Sequence, residues 1–531
     1  MSATNQYTKT DRAFVLGIDG VPWDRIHRWI EAGELPNFKT LADEGVGTPL
    51  RSTTPPTTPT AWPSIATGVW PDKHGIYGFQ KLNKDYTQQM NTSADRTQPA
   101  LWDLLSPSLV GNVPMTFPAS SIDGTMVSGM ISPKVNRRAT HPPEFASEID
   151  AHIPNYEIGL NWQQYSGEET RFRNDLTSLV DARRALMSRL METDDWRLFF
   201  FVYTAPDRLQ HLIWDDDVML EHYRQLDDIL GEVIEYTDQK GANLFVVSDH
   251  GFGPISKFVN LSAVLENEGY LSQTERTATR GSLDKLGITK STILGTIRKL
   301  GIDDGHVVDT LPKPLVDRFA TQVPGDHGLY DVDFSETVAF AHGPSHVYIN
   351  DTERFEEGIV SPAEVPSIKR ELMSIFSALT DPETGETVLT VSDGDELFPT
   401  DTHSPDIVAV GQDGYEEKTK LANDVFEPAG AKAASHRSEG VFFARGPSVK
   451  SRELNSIPDL SVVDVAPTIL HSVGEPIPET VDGEVSTACL AANNAPTMRA
   501  VSQSVVDDAD AEQTEDFDDV EDRLRGLGYM E

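Results

Sequence analysis

The chain has 531 residues, with 44 Lys and Arg against 84 Asp and Glu, a formal charge of −40. A field this negative repels a polyanion, which excludes a protein that coats nucleic acid; phosphate chemistry here requires a locally cationic or metal-bearing site. With 38% hydrophobic and 24% charged residues the chain is globular, long enough for one large core or two to three smaller ones, and its acidity resembles that of halophilic proteins.

The N-terminus, Met1 to Arg12, is polar and lacks the apolar stretch of a secretory signal, and no run of about 18 apolar residues is present to span a bilayer. The single cysteine, Cys489, cannot form an internal disulfide, so a cytoplasmic location is expected. Ala13 to Asp19 reads as a buried parallel strand that delivers an acid at its C-terminal end. A helix is expected over Trp23 to Glu44 and a short one over Leu101 to Leu105, then a long one over Thr170 to Thr193. Leu198 to Tyr203 repeats the strand pattern and runs into Thr204-Ala205-Pro206-Asp207; after a helix over Val218 to Thr237, Asn243 to Val247 runs into Ser248-Asp249-His250-Gly251. Further on come a helix over Pro366 to Leu379 and candidate strands at His346 to Asn350, Asp406 to Val410 and Gly440 to Phe443. Apolar strands alternating with amphipathic helices predict an α/β sheet whose strand ends carry the site.

Two segments break the pattern. Arg276 to Lys299 holds six basic residues and one acid, so 271–331 reads as an inserted, mostly helical basic cap between a first core part, 13–270, and a second, 332–490. The tail beyond 490 is acidic, with 11 acids and two arginines from Val501 onward and a short helix expected at its end. Residues 1–12 read as a flexible N-terminus.

Metal-type ligands occur in separated pieces: Asp19, the Asp207/His211 pair, adjacent Asp249 and His250, and His436. A strand-end Asp-Gly also makes a turn, Asp207 after Pro206 also suits a helix cap, and a lone His436 also suits the core or surface. The Asp207/His211 spacing places both side chains on one face of a helical turn, which suits joint coordination of an ion. Pro55-Pro56-Thr57-Thr58-Pro59-Thr60-Ala61-Trp62 is a hydroxyl-rich, proline-stiffened turn leading into a helix, where unpaired N–H groups can hold an anion.

Taken in order, the strand-end Asp-Gly, Thr58-Pro59-Thr60-Ala61-Trp62, the Thr67-Gly68 pair, Pro71-Asp72-Lys73-His74-Gly75-Ile76, Asp207 with His211, Asp249-His250-Gly251 and His436 resemble the alkaline phosphatase superfamily. Within it they resemble the nucleotide pyrophosphatase/type I phosphodiesterase group. Asp464-Val465-Ala466-Pro467-Thr468-Ile469-Leu470 and Val481-Asp482-Gly483 extend the resemblance toward the C-terminus, and the closing Leu524-Arg525-Gly526-Leu527-Gly528-Tyr529 looks like tails of this family.

The resemblance implies a three-layer α/β sandwich with a largely parallel sheet and a helical cap. It also implies two divalent ions, zinc first and manganese or iron as alternatives: Asp207, His211 and His436 on one, Asp19, Asp249 and His250 on the other. Thr58 would be the nucleophile bound to the second ion, chosen over Thr57 and Thr60 because the family's nucleophile stands ten residues before the Gly of the Thr-Gly pair. The implied reaction is hydrolysis of phosphodiester or pyrophosphate bonds in a small phosphate ester through phospho-Thr58, with phosphomonoesterase or phosphomutase chemistry, or an inert scaffold that recognises phosphorylated partners, as alternatives.

One departure stands out. Phe79 occupies the place of the family's phosphate-binding Asn, so backbone N–H groups after Thr58, or Gln80, Lys81 or Asn112, are candidate substitutes. Trp62, Tyr77 and Phe79 are candidates for an apolar wall, Lys134, Arg137, Arg138 and the basic cap for holding an outer phosphate, and His342 and His346 for reaching the site. Oligomeric state is not legible.

Overall fold

A computed structural model describes residues 10–154, 156–160, 165, 167–274, 328–430, 432–491, 495–500, 517 and 520–521. The basic run at 276–299 and nearly all of the tail beyond 500 lie outside the described residues.

Three apolar runs read from the sequence form adjacent strands, Ala13–Ile18, Leu198–Tyr203 and Asn243–Val247. They belong to a nine-stranded sheet whose order runs Leu460–Ser461, Val46–Arg51, Glu439–Arg445, Asn243–Val247, Ala13–Ile18, Leu198–Tyr203, Ser108–Gly111, Gly124–Val127, Thr140–His141. Five neighbours, from Asn243–Val247 to Gly124–Val127, are mutually parallel, while Glu439–Arg445 pairs antiparallel on both sides. The period of two along each strand splits the side chains between two cores. Phe14, Leu16, Phe199, Phe201, Tyr203, Leu244 and Val246 face one layer of helices; Ala13, Val15, Phe200, Val202, Phe245 and Val247 face the other. The three layers thus follow from strands buried on both faces, whose runs are continuously apolar.

Two expectations are corrected. The helix expected over Trp23 to Glu44 is two, Trp23–Glu31 and Pro36–Glu44. Gly33, at φ 75°, ends the first, and Pro36 opens the second where a missing N–H costs nothing. The strand at Ile407–Gly411 belongs to a separate four-stranded sheet with Ala339–His342, His346–Ile349 and Leu389–Asp393. There, antiparallel pairing places Ile407 and Ala409 in a third core with Phe340, Val347 and Leu372. Where the described chain leaves and re-enters around 275–327, Gln273 bridges Val332 and Thr274 N–H bonds to Asp331 O, so the two ends stand side by side.

The late motifs support the helix Thr58–Thr67. Its C-cap, Gly68, has φ 76°, and its carbonyl accepts the N–H groups of Asp482 and Gly483. The Asp482 carboxylate in turn accepts Trp70 N–H and the Lys73 ammonium. His74 packs fully buried against the helix, its Nε2 3.0 Å from Ser64 Oγ and its Nδ1 accepting the N–H of Ile76. Val465–Val473 packs on the same helix.

Burial depresses three imidazoles from 6.5: His74 and His346 to about 3, His222 to about 4. Each is neutral when folded and binds a proton more readily when unfolded, so its contribution is fully present above about pH 6.5 and is lost as pH falls toward its folded value. His222 Nε2 has no hydrogen-bond partner, so His222→Leu removes the titration without breaking a bond at that atom. Between pH 6.5 and 5 the wild type should lose about 2 kcal/mol more stability than the variant, at about 1.4 kcal/mol per pH unit. Superimposable denaturant-unfolding curves across that pH range would contradict this.

Candidate active site

The loops after three neighbouring parallel strands carry the acids. Asp19 follows Ala13–Ile18, Asp249 and His250 follow Asn243–Val247, and Asp207 lies in the first turn of Ala205–Leu212, after Leu198–Tyr203. Asp207 is inside that helix, whose N-cap is Thr204, so it does not act as the cap residue. His211, one turn on, and His436, on strand Ala434–Arg437, close on Asp207: His436 Nε2 is 3.2 Å from Asp207 Oδ1 and from His211 Nε2. His436 is placed by pairing with Phe252 on Gly251–Asn260, the strand that leaves directly from His250.

Two groups of three donors result, Asp207/His211/His436 and Asp19/Asp249/His250, and within each the ligand atoms lie within 4.8 Å of one another. The rings of His250 and His436 stack at 3.9 Å between centroids, so the groups adjoin. Thr58 Oγ1 lies 3.2 Å from His250 Nε2. Thr57 and Thr60 are engaged elsewhere: their hydroxyls are 2.8 Å apart, and Thr60 also contacts the Thr53 hydroxyl at 2.7 Å.

The electrostatics are those of crowded anions out of water. Burial, then Asp249 and Asp207, push the Asp19 carboxyl well above its ordinary value; burial, then Asp207, push Asp249 up to about 8. Burial also works against the Asp207 carboxylate, yet His211, His436 and Arg208 together hold it well below the usual range. Burial lowers His211 to about 4, assisted by the Lys432 ammonium, and lowers His436 strongly, assisted by His250. Asp19 Oδ1 and Asp249 Oδ2 are buried and accept no hydrogen bond. Buried carboxylate oxygens without donors, set among imidazoles and a hydroxyl with no thiolate, fit hard or borderline divalent cations.

Side chains outside this set hold the acids in place. Arg208 Nη1 donates to Asp207 Oδ2 at 2.8 Å, Gly20 N–H to Asp249 Oδ1 at 3.1 Å, and Gln210 Nε2 to the Gly20 carbonyl at 2.7 Å. Arg208 and Gln210 sit beside Asp207 and His211 in one helix, but nothing in their spacing distinguishes them from ordinary helix residues.

The substrate-side expectations divide. Trp62 is fully buried, packed against Phe200, and its indole N–H reaches Asp19 Oδ2 at 3.2 Å, so it positions an acid and forms no substrate wall. Phe79 and Gln80 line the pocket that opens beside His211 and His436, as does His342. Lys81 pairs with Asp95 at 2.6 Å and lines a neighbouring groove with Tyr77 and His346; the Tyr77 hydroxyl donates to Asp401. Asn112 is buried and accepts from the Tyr156 hydroxyl, with no surface to offer a substrate. Lys134 and Arg137 are exposed, Arg137 paired with Glu144, and Arg138 lies over Phe117. The backbone after Thr58 offers little to a phosphate: Pro59 has no N–H, and those of Thr60 and Ala61 bond to Thr57 O. The pocket residues Glu416, Lys418, Lys432 and Arg437 carry no sequence signal.

A family model, type I phosphodiesterase/nucleotide pyrophosphatase, matches residues 13–442. The chain therefore belongs to that family, which is metal-dependent, and is a hydrolase of the phosphodiesterase/nucleotide pyrophosphatase class rather than an inert scaffold. Among solved structures it is similar to two of murine ectonucleotide pyrophosphatase/phosphodiesterase 5, one of them an inactive form in complex with AMP. Both are 13% identical with a TM-score of 0.48, covering 90% and 91% of this chain and 100% of theirs. No individually curated protein matches. Among the described residues no helix is long and apolar enough to cross a membrane.

Gly17 leaves room for Trp62: a Cβ there would overlap the indole ring and a Val202 methyl. Gly17→Ala should cost about 1–3 kcal/mol of stability and lower diester turnover per folded molecule, because the indole can no longer hold Asp19. Unfolding curves paired with kcat measured well below the transition check this; unchanged kcat would show that Trp62 does not position Asp19.

Proposed function

We propose that the protein hydrolyses phosphodiester or pyrophosphate bonds of a small phosphate ester by in-line attack of Thr58 at a site for two divalent ions. Asp207, His211 and His436 would hold one ion; Asp19, Asp249 and His250, with Thr58 Oγ1, the other. The observation that carries this reading is the reach of Thr58: its hydroxyl lies 3.2 Å from His250 Nε2 in the Asp19/Asp249/His250 group, while those of Thr57 and Thr60 bond to each other. The all N and O donor set favours zinc, with manganese or iron as alternatives.

When bound, such ions favour the alkoxide of a contacting hydroxyl and offset charge on the phosphoryl oxygens. The chain's own residues supply the rest. Thr58 Oγ1 forms its bond to phosphorus as the bond to the leaving oxygen breaks, giving phospho-Thr58; water then displaces the threonine oxygen, releasing the phosphorylated product and restoring the hydroxyl. Trp62 and the Gly20 N–H orient Asp19 and Asp249, and Arg208 orients Asp207, so donor positions need little rearrangement during reaction.

Thr58→Ala should reduce hydrolysis of bis-(p-nitrophenyl) phosphate at least a thousandfold with zinc or manganese supplied, while Thr57→Ala retains activity within about tenfold. Mass spectrometry of a trapped intermediate should find the phosphate on Thr58. Full activity in Thr58→Ala would overturn the covalent mechanism, and faster turnover of p-nitrophenyl phosphate than of the bis-ester would favour a monoesterase. Chelation should abolish activity, with two metal equivalents per chain restoring it; recovery with one would remove the second ion from the scheme.

A further inference from the structure

The groove beside the Thr58 pocket, with Tyr77 and His346 on its walls, has a volume of about 170 Å³, roughly ten times what one ordered water requires. Two buried polar atoms of its lining residues have no partner. Asn91, 2% exposed, donates its Nδ2 to the Gly78 carbonyl at 2.8 Å, which fixes the amide and leaves Oδ1 an acceptor without a donor. His346, also 2% exposed, has no hydrogen-bond partner at Nε2. Burial pushes its imidazole down to about 3, so the ring is neutral and offers one N–H and one lone pair. Leaving such atoms unpaired in the interior is costly, so each calls for a partner from the groove's occupant.

The charges on the walls are engaged already. Lys81 pairs with Asp95, Arg354 with Asp351 and Asp406, and Asp401 accepts the Tyr77 hydroxyl and the His403 N–H, each at 2.8 Å. Lys84 and His403 are exposed. A carboxylate or an ionised phosphate carries no proton for Asn91 Oδ1, and an ammonium finds no lining carboxylate other than the engaged Asp401. An alkyl group would leave both atoms unpaired. A hydroxyl suits them, since it donates to Asn91 Oδ1 and exchanges a bond with His346 Nε2 in either direction. Tyr77, Tyr348 and Phe355 supply aromatic surface for the carbon skeleton of such a group.

The groove adjoins the reacting centre. Gly78, Gln80, His342, Gly343 and Pro344 line both it and the pocket that holds Thr57, His211 and His436. Asn91 fixes the segment between the two, its N–H bonding to Phe79 O at 2.7 Å and its side chain to Gly78 O. His346 pairs with His342 across the hairpin, and while Val347 packs into the third core, His346 and Tyr348 on either side of it line the groove.

We propose that this groove binds a neutral, hydroxyl-rich arm of the substrate, a polyol or sugar unit esterified to the phosphate, with His346 and Asn91 as specificity-determining residues. This rests on the phosphoester reading above and narrows it: the substrate class is phosphodiesters or pyrophosphates with a polyhydroxylated group on one arm.

The test is competitive inhibition of bis-(p-nitrophenyl) phosphate hydrolysis by pairs of phosphonates with the same carbon skeleton, hexyl or cyclohexyl, bare or polyhydroxylated. An adenin-9-ylalkyl phosphonate serves as a planar, hydroxyl-free comparison. In the wild type at least one polyhydroxylated member should inhibit with a constant tenfold or more below that of its bare counterpart. His346→Phe, which breaks no bond at Nε2, should cut that advantage to under threefold. Asn91→Leu should reduce it in the same direction, which reads the groove even if His346→Phe fails to fold. No hydroxyl advantage in the wild type, an advantage intact in both variants, or an advantage confined to the adenine-bearing arm overturns the proposal. Calorimetric titration of Thr58→Ala with the same pairs reads the groove without turnover, so the outcome stays separable from whether Thr58 is the nucleophile.

Discussion

Three carboxylates, Asp19, Asp207 and Asp249, stand fully or almost fully buried at the ends of adjacent strands, and the arrangement around them is a response to their repulsion. Left in low dielectric without cations, two of them are driven toward the protonated state. Only Asp207, with Arg208 and two imidazoles beside it, is held ionised. Every element near the site helps fix these groups: the indole of Trp62, the turn at Gly20, the stacked rings of His250 and His436. The family depends on metal ions, and at the proposed two-ion site cations would let all three carboxylates stay ionised.

The second structural theme is one strand with two duties. Gly251–Asn260 leaves the central sheet at His250, pairs first with the strand bearing His436, then with Gly414–Lys418, which bears both Glu416 and Lys418, and with Phe426–Pro428, and packs into the third core at Val259. Site and pocket walls are thereby fixed by one piece of backbone.

Much of the candidate site was legible because a strand buried on both faces is an unbroken apolar run, and the residue after it is delivered to one edge of the sheet. Asp19 and Asp249 become candidates that way, and Asp207 with His211 through their helical spacing. The same run at Ile407–Gly411 misled, since an apolar strand in an antiparallel sheet against its own core looks alike in sequence. Trp62 read as a substrate wall because composition does not say which way a ring points; its place against Phe200 and Asp19 depends on Gly17, a residue on another element.

By itself the sequence determined the candidate ligand types, the order in which the strands deliver them and the threonine-rich turn, since these depend on local periodicity and on proline and glycine geometry. Only the tertiary structure decided which donors share a site, which threonine faces them, and that Asn91 and His346 line one groove. Those outcomes depend on sheet order and strand register, which bring together residues such as Asp207 and His436, 229 positions apart, at distances no local pattern encodes.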